Sequence, residues 1–199
     1  MNKRKLRYFI IHKPYGMLSQ FSPEHGKTCL ADLDYKFPRD VYPVGRLDQD
    51  SEGLLLLTND KSINQELLAP EKNHSKTYLV QVEGLATNES LKALETGVDI
   101  KAKGVTHYTA PATIKIVKKP DWIEQRKPPV NETKTTSWIE ISITEGKNRQ
   151  VRKMTAAAGF PTLRLLRISI ESLSVDGLEQ GRVMELSRNT AFKKLALIT

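Results

Sequence analysis

A chain of 199 residues, 39% hydrophobic and 27% charged, suits one domain or two small lobes on a shared core and is too balanced for wholesale disorder. Its single cysteine, Cys29, excludes an intrachain disulfide and a thiolate metal site and points to a reducing compartment. The 31 Lys and Arg against 23 Asp and Glu leave a net charge of +8, which favours a polyanionic partner, either nucleic acid or an anionic membrane surface.

The basic N-terminal stretch Met1–Pro14 holds an apolar run of only Tyr8–Ile11, too short for a signal-peptide core or a membrane span, so the chain reads as soluble and cytoplasmic. Leu6–His12 is rich in strand formers and ends at the turn signal Lys13-Pro14-Tyr15-Gly16. Thr28–Leu33 reads as a short helix, Val41–Val44 as a short strand and Leu54–Leu57 as a buried one. Asn59-Asp60 caps a helix through Leu68 that Pro70 ends. Tyr78–Val82 alternates like a strand, and Thr87 caps a helix to Thr96 with Gly97 as its stop. Ala112–Val117 is a further strand. Lys118–Thr135, with three prolines and mostly polar residues, reads as an exposed loop. Trp138–Thr144 is the cleanest strand, with Ile139, Ile141 and Ile143 on one face. Arg149–Ala158 reads as a helix closed by Gly159 and Pro161. Leu165–Ile170 and Val183–Leu186 are late strands, and Ser187 caps a last helix through Leu195. Strands outnumber helices and several are joined by hairpin-length turns, which predicts an α+β fold around a largely antiparallel sheet.

Two segments concentrate chemistry. Val44–Asp60 crowds Asp48, Asp50 and Glu52 beside Arg46, just ahead of four leucines. Acids at this spacing with Gly53 next resemble the first half of a calcium loop, but the twelfth position is Asn59 and flanking helices are missing. A solvated polar turn accounts for Asp50 and Glu52. Asp48, set between Leu47 and the turn, is the stronger functional candidate. The second segment, Thr144–Met154 with Leu163–Arg167, carries Lys147, Arg149, Arg152, Lys153, Arg164 and Arg167. Gly146-Lys147-Asn148 forms a turn at a helix head, where backbone N–H groups and basic side chains can cradle phosphate. Arg149, Arg152 and Lys153 fall on one helical face. Val151, Met154, Ala157 and Ala158 require this helix to pack, so it is more than a solvated basic face. Tyr78 alone reads as a core tyrosine with a wet hydroxyl.

In order along the chain, HKPYG at His12–Gly16, GRLDQDSEGLLLLTND at Gly45–Asp60, KTYLV at Lys76–Val80, EGKNRQVRKM at Glu145–Met154 and LLRISI at Leu165–Ile170 resemble the motifs of the RsuA-like family of ribosomal RNA pseudouridine synthases. The resemblance covers roughly His12–Leu186. With the first motif at His12, it is nearest to the family's type E synthases of large-subunit rRNA, which lack a separate N-terminal RNA-binding domain. Lys61 and Glu171 stand where the family pattern commonly has glycine.

The resemblance implies one catalytic domain over residues 1–199, with two lobes around a central cleft and a mixed, mainly antiparallel sheet flanked by helices. It implies isomerisation of uridine to pseudouridine in 23S rRNA near the peptidyl-transferase region, by a monomer with no metal, no other cofactor and no membrane partner. Asp48 is then the nucleophile, attacking carbon 6 of the base or the anomeric carbon of the sugar, or acting through a glycal. Arg152 is its cationic partner, opposing the rise in pKa that burial causes. Tyr78 stacks on the base and helps remove the proton at carbon 5. The target base leaves its helix, and Arg46 fills the space it vacates. Lys76, Lys147, Asn148, Arg149 and Gln150 hold the RNA, so binding should weaken as salt rises. Against this stand a non-catalytic rRNA-binding or ribosome-assembly protein on the same fold, and a calcium-binding module.

Overall fold

The computed structural model describes residues 5–132 and 134–197, so Met1–Arg4 of the basic N-terminal stretch and Thr133 of the long loop lie outside the described residues. In chain order the elements are β1 (Tyr8–Lys13), β2 (Tyr42–Pro43), β3 (Glu52–Thr58), α1 (Lys61–Leu68), β4 (Lys76–Glu83), α2 (Asn88–Thr96), β5 (Asp99–Ala102), β6 (Val105–Tyr108), β7 (Thr113–Val117), β8 (Thr136–Ile143), α3 (Gln150–Ala157), β9 (Thr162–Ile170), β10 (Leu173–Ser174), β11 (Val183–Leu186) and α4 (Arg188–Lys194). The α+β class read from the sequence is the class observed. Residues Met1–Lys72 and Ile168–Thr199 form one unit, and Asn73–Arg167, inserted between them, form a second. The chain returns from the second to the first along β9.

In the first unit β1 lies between β11 and β3 in antiparallel register, with Ile10 opposite both Met184 and Leu56, and β2 adds to the other side of β3. Every residue of β1 and β3 is buried, so neither strand shows polar alternation. The leucine run makes sense in this light. Leu54 and Leu56 enter a cluster with Tyr8, Ile63, Leu67 and Phe192. Leu55 and Leu57 face the opposite way, toward Phe9, Ile11, Leu30 and Val41. Successive strand side chains point to opposite faces, and here both faces are covered. Each fully buried leucine contributes about 1.5–3 kcal/mol.

Asp60 accepts from the Ser62 amide to cap α1, and Ser187 accepts from the Thr190 amide to cap α4, as their sequence positions predict. The predicted helix at Thr28–Leu33 shrinks to one 3-10 turn, Leu30–Asp32. Glu171, in the tight turn between β9 and β10, takes φ 48, a left-handed conformation that explains why glycine is common there.

The second unit is built on β4, β8 and β7, antiparallel in that order, with Ile141 of β8 opposite Tyr78 on one side and Ile114 on the other. β8 alternates buried Ser137, Ile139, Ile141 and Ile143 with half-buried neighbours, the period its sequence shows. Thr87 caps α2 and Gly97, at φ 113, ends it. Beyond it the β5–β6 hairpin turns at Lys103-Gly104, both at positive φ. Sequence patterning does not reveal this hairpin, because most of its residues are exposed and only Ile100 and Ala102 point inward.

Candidate active site

Asp48 sits on the loop between β2 and β3, and that loop is tied down residue by residue. Gly45 turns the chain at φ 68, and a side chain there would meet Leu68 Cδ2 at 3.1 Å. Leu47 is buried, and Ser19 clamps its backbone on both sides: Ser19 Oγ donates to Leu47 O (2.8 Å) and accepts from Leu47 N (3.1 Å). Beyond Asp48 the chain reverses as Ser51 N donates to Asp48 O (3.0 Å). Gln49 O accepts from Gly16 N (2.9 Å), and Gln49 Nε2 donates back to Gly16 O (3.0 Å). The result is a half-buried carboxylate at residue 48 with fixed backbone on either side.

Lys13, at the end of β1, supplies the underside of this arrangement. Its side chain is fully buried, and Nζ donates to Met17 O (2.6 Å), Pro14 O (3.0 Å) and Gln49 O (3.4 Å). Burial lowers its pKa to about 8, and the charges of Glu52, Asp50 and Asp48 oppose that fall. The ammonium therefore stays largely charged near neutrality, beside the loop that carries Asp48 and Asp50 and the start of β3 at Glu52. Glu52 departs from the sequence expectation. It is fully buried at the start of β3 and accepts from Gln180 Nε2 (3.0 Å), so it is an interior residue and not a solvated turn acid. Arg46 is exposed and donates through Nη2 to Gln20 Oε1 (3.3 Å).

The second unit carries the other candidates. Tyr78 is 9% exposed in β4, and Lys76, two residues before it, donates to His74 O (2.9 Å). The basic turn before α3 is organised by Glu145. Its carboxylate accepts from Ala110 N (2.8 Å), from Gln150 Nε2 (2.5 Å) and from Lys147 Nζ. Burial pushes this carboxyl up, and the hydrogen bonds from Lys147, Ala110 and Gln150 outweigh it and hold the group below its ordinary value. Gln150, expected on RNA, is buried. Its Oε1 accepts from Lys147 N (2.8 Å), so its amide shapes the turn. Asn148 and Arg149 are exposed at the tip, and Lys153 Nζ folds back onto Asn148 O (2.6 Å). Arg149 caps α3 in a left-handed conformation at φ 52, and Arg152 is half-buried one turn further on.

Among the described residues no group of three or more His, Cys, Asp or Glu is placed to hold a metal ion. The twelve-residue calcium loop considered for Asp48–Asn59 does not form, since Glu52–Thr58 is strand throughout. No helix among the described residues is long and apolar enough to cross a membrane.

Residues 7–157 match the family model described as RNA pseudouridylate synthase. The chain belongs to the RNA pseudouridylate synthase family. It is 44% identical over 184 residues, 91% of this chain and 75% of the relative, to the ribosomal large subunit pseudouridine synthase E of Vibrio vulnificus. It is 44% identical over 171 residues, 85% of this chain and 88% of the relative, to the protein of the same name in Xanthomonas axonopodis. The ribosomal large subunit pseudouridine synthase B of Bacillus subtilis is 35% identical over 96% of this chain and 72% of its own length. A crystal structure of a pseudouridylate synthase superposes with a TM-score of 0.75 at 26% identity, covering 98% of this chain and 76% of that one. This pseudouridine synthase therefore isomerises uridine in RNA on the α+β fold of its family. Ser19, which fixes the loop that carries Asp48, leaves no mark in the sequence pattern, and Glu145, which organises the basic turn, stands in a motif without a role of its own. Lys13 stands in a motif without a role of its own there. An interior role for a polar side chain leaves no periodic signal.

Proposed function

We propose that the enzyme converts a specific uridine of large-subunit ribosomal RNA to pseudouridine, near the peptidyl-transferase region, with Asp48 as the nucleophile. The observation that carries this reading is 44% identity over 91% of the chain to a synthase named for the large ribosomal subunit. The fixed loop around Asp48 supports the nucleophile assignment, because covalent catalysis by a carboxylate needs a held, partly dry acid.

In this reading Arg152 is the cationic partner of Asp48, and Tyr78 stacks on the flipped base. Arg46 fills the vacated space in the RNA. Lys76, Lys147, Asn148 and Arg149 hold phosphates, while Gln150 acts through the shape of its turn. The two units work as one catalytic domain, and the enzyme acts as a monomer in the cytoplasm, where ribosomes are assembled.

The test is chemical mapping of pseudouridine across rRNA from cells with and without the protein, complemented with wild type or Asp48→Asn. One large-subunit uridine should lose its modification and regain it only with wild type. Restoration by Asp48→Asn would overturn the assignment of the nucleophile, and an unchanged map would overturn the substrate.

A further inference from the structure

The loop of residues 118–135 is mostly exposed, yet it is pinned in place. One of its own residues, Ile123, is buried. Arg126 donates from Nε to Pro128 O (2.9 Å), from Nη2 to Pro129 O (3.2 Å) and from Nη1 to Leu163 O (3.4 Å). Arg164, 4% exposed on β9, donates from Nη1 to Glu124 O (2.7 Å). Gln81 gives its amide protons to Glu132 Oε1 (2.6 Å) and Thr136 Oγ1 (3.3 Å). Long loops without internal secondary structure in a compact fold are commonly functional. This one is tied to the rest of the unit by Arg126 on Leu163 O, Arg164 on Glu124 O and Gln81 on the Glu132 carboxylate, and none of these residues belongs to the set assigned to catalysis.

The loop borders a half-open cavity of about 270 Å³ within the second unit. Its walls include Lys119, Arg126, Arg164, Glu132, Gln81 and Trp138. Three cations face one carboxylate, and that carboxylate already accepts from Gln81. Trp138 lies opposite Gln81 on β4 and Val117 on β7, half-buried, so its indole forms part of the wall at the sheet surface. Cations, amide groups and one indole face match the three parts of a nucleotide. Guanidinium and ammonium suit phosphate, carboxamides suit base edges, and an aromatic face suits a base of any identity. The volume lies just under the roughly 300–1,000 Å³ of sites for drug-sized ligands, which leaves room for one nucleotide and not for a folded strand.

We infer that this cavity is an RNA subsite that takes one unpaired ribonucleotide of the bound strand, its base against Trp138 and its phosphate beside Arg126 and Lys119. The inference extends the proposed action on rRNA, and its partner is the RNA itself. The chemistry of a free mononucleotide is the same, so the test separates the two sources.

Binding of a fluorescein-labelled single-stranded oligouridylate is measured for wild type, Trp138→Leu and the double variant Lys119→Ala/Gln125→Ala, with 5′-UMP titrated in parallel. Gln125 also lines the cavity, and both it and Lys119 are exposed, so the double variant guards against a folding defect in Trp138→Leu. The oligomer's Kd should rise roughly 5-fold or more in Trp138→Leu, the lower end of the effect of one lost base stack. It should rise in the double variant as well, with a shallower salt dependence from the lost lysine. Circular dichroism should be unchanged.

Unchanged oligomer affinity in both folded variants would overturn the inference. So would variants that lose UMP binding while keeping the oligomer, since the cavity would then serve a free nucleotide. Because the readout is binding to a generic strand, it stands whether or not rRNA mapping finds a modified uridine.

Discussion

Ser19 and Leu47 are joined by a reciprocal pair of hydrogen bonds through one hydroxyl, 2.8 Å to the leucine carbonyl and 3.1 Å from its amide. Leu47 immediately precedes Asp48, so this pair sets the backbone from which the carboxylate projects. Ser19→Ala leaves a buried N–H and C=O unsatisfied, at a cost of about 1–3 kcal/mol. A small displacement of a reacting group also lowers the chemical rate steeply. We expect Ser19→Ala to lower single-turnover kcat by about tenfold or more, with RNA affinity little changed. Urea denaturation and single-turnover assays check the two halves.

Lys13 couples the same loop to pH. Its pKa falls from an ordinary 10.5 to about 8 because burial disfavours the ammonium. Between those values the unfolded chain holds more protons than the folded one, so the lysine's contribution to stability rises with pH from 8 to 10.5. Below 8 the full cost of burying the charge is present. At about 1.36 kcal/mol per pH unit the whole window amounts to about 3 kcal/mol. The stability of wild type relative to Lys13→Met should therefore be flat near about pH 7 and climb between about pH 8 and 10. A difference that stayed level across that range would show that Lys13 titrates normally. Lys13→Met should also lower kcat, since three backbone carbonyls lose their common donor.

The parts of this fold that are legible in the sequence are those where burial imposes a period or a cap imposes a residue type. Ile139, Ile141 and Ile143 announce β8, and Thr87 with Gly97 brackets α2. The β5–β6 hairpin stays hidden because its exposed residues carry no hydrophobic period. Within the site, the order of the motifs marks Asp48, but chemistry by residue type misjudges Glu52 and Gln150. Both are polar and both are buried, and only the fold reveals that Gln180 and Glu145 satisfy them.

Tyr8 and Asp60 form a buried contact that bears on stability and not on chemistry. Tyr8 Oη donates to Asp60 Oδ2 (2.8 Å), while Asp60 Oδ1 accepts from Ser62 N (3.0 Å) and Ser62 Oγ (2.6 Å). Burial, with the hydrogen bond to Asp60, pushes the phenol up to about 12. Burial also raises the Asp60 carboxyl, but the bonds from Ser62 and Tyr8 outweigh it and leave the group below its ordinary 3.8. Asp60 therefore stabilises the fold above that ordinary value, and the contribution is lost as pH falls through the folded one. Tyr8→Phe should cost about 1–2 kcal/mol at about pH 7. The stability gap between wild type and Asp60→Asn should narrow below about pH 4, as read by thermal melts across an acid series.

Arg149 sets stability against binding. Its left-handed conformation, φ 52, costs a residue with a Cβ about 1 kcal/mol, and glycine adopts it without strain. Arg149 is also exposed at the tip of the basic turn, where we assign it to phosphate. Arg149→Gly should therefore raise the stability of the fold while weakening RNA binding and reducing the salt slope by about one phosphate contact. Arg149→Ala should weaken binding equally without the gain in stability. Glu171→Gly relieves the same kind of strain at φ 48 without removing a cation, so it should stabilise with no loss of RNA affinity. Thermal melts paired with RNA titrations at several salt concentrations separate the three variants. A fall in stability for Arg149→Gly would show that the arginine's contacts outweigh the strain of its backbone.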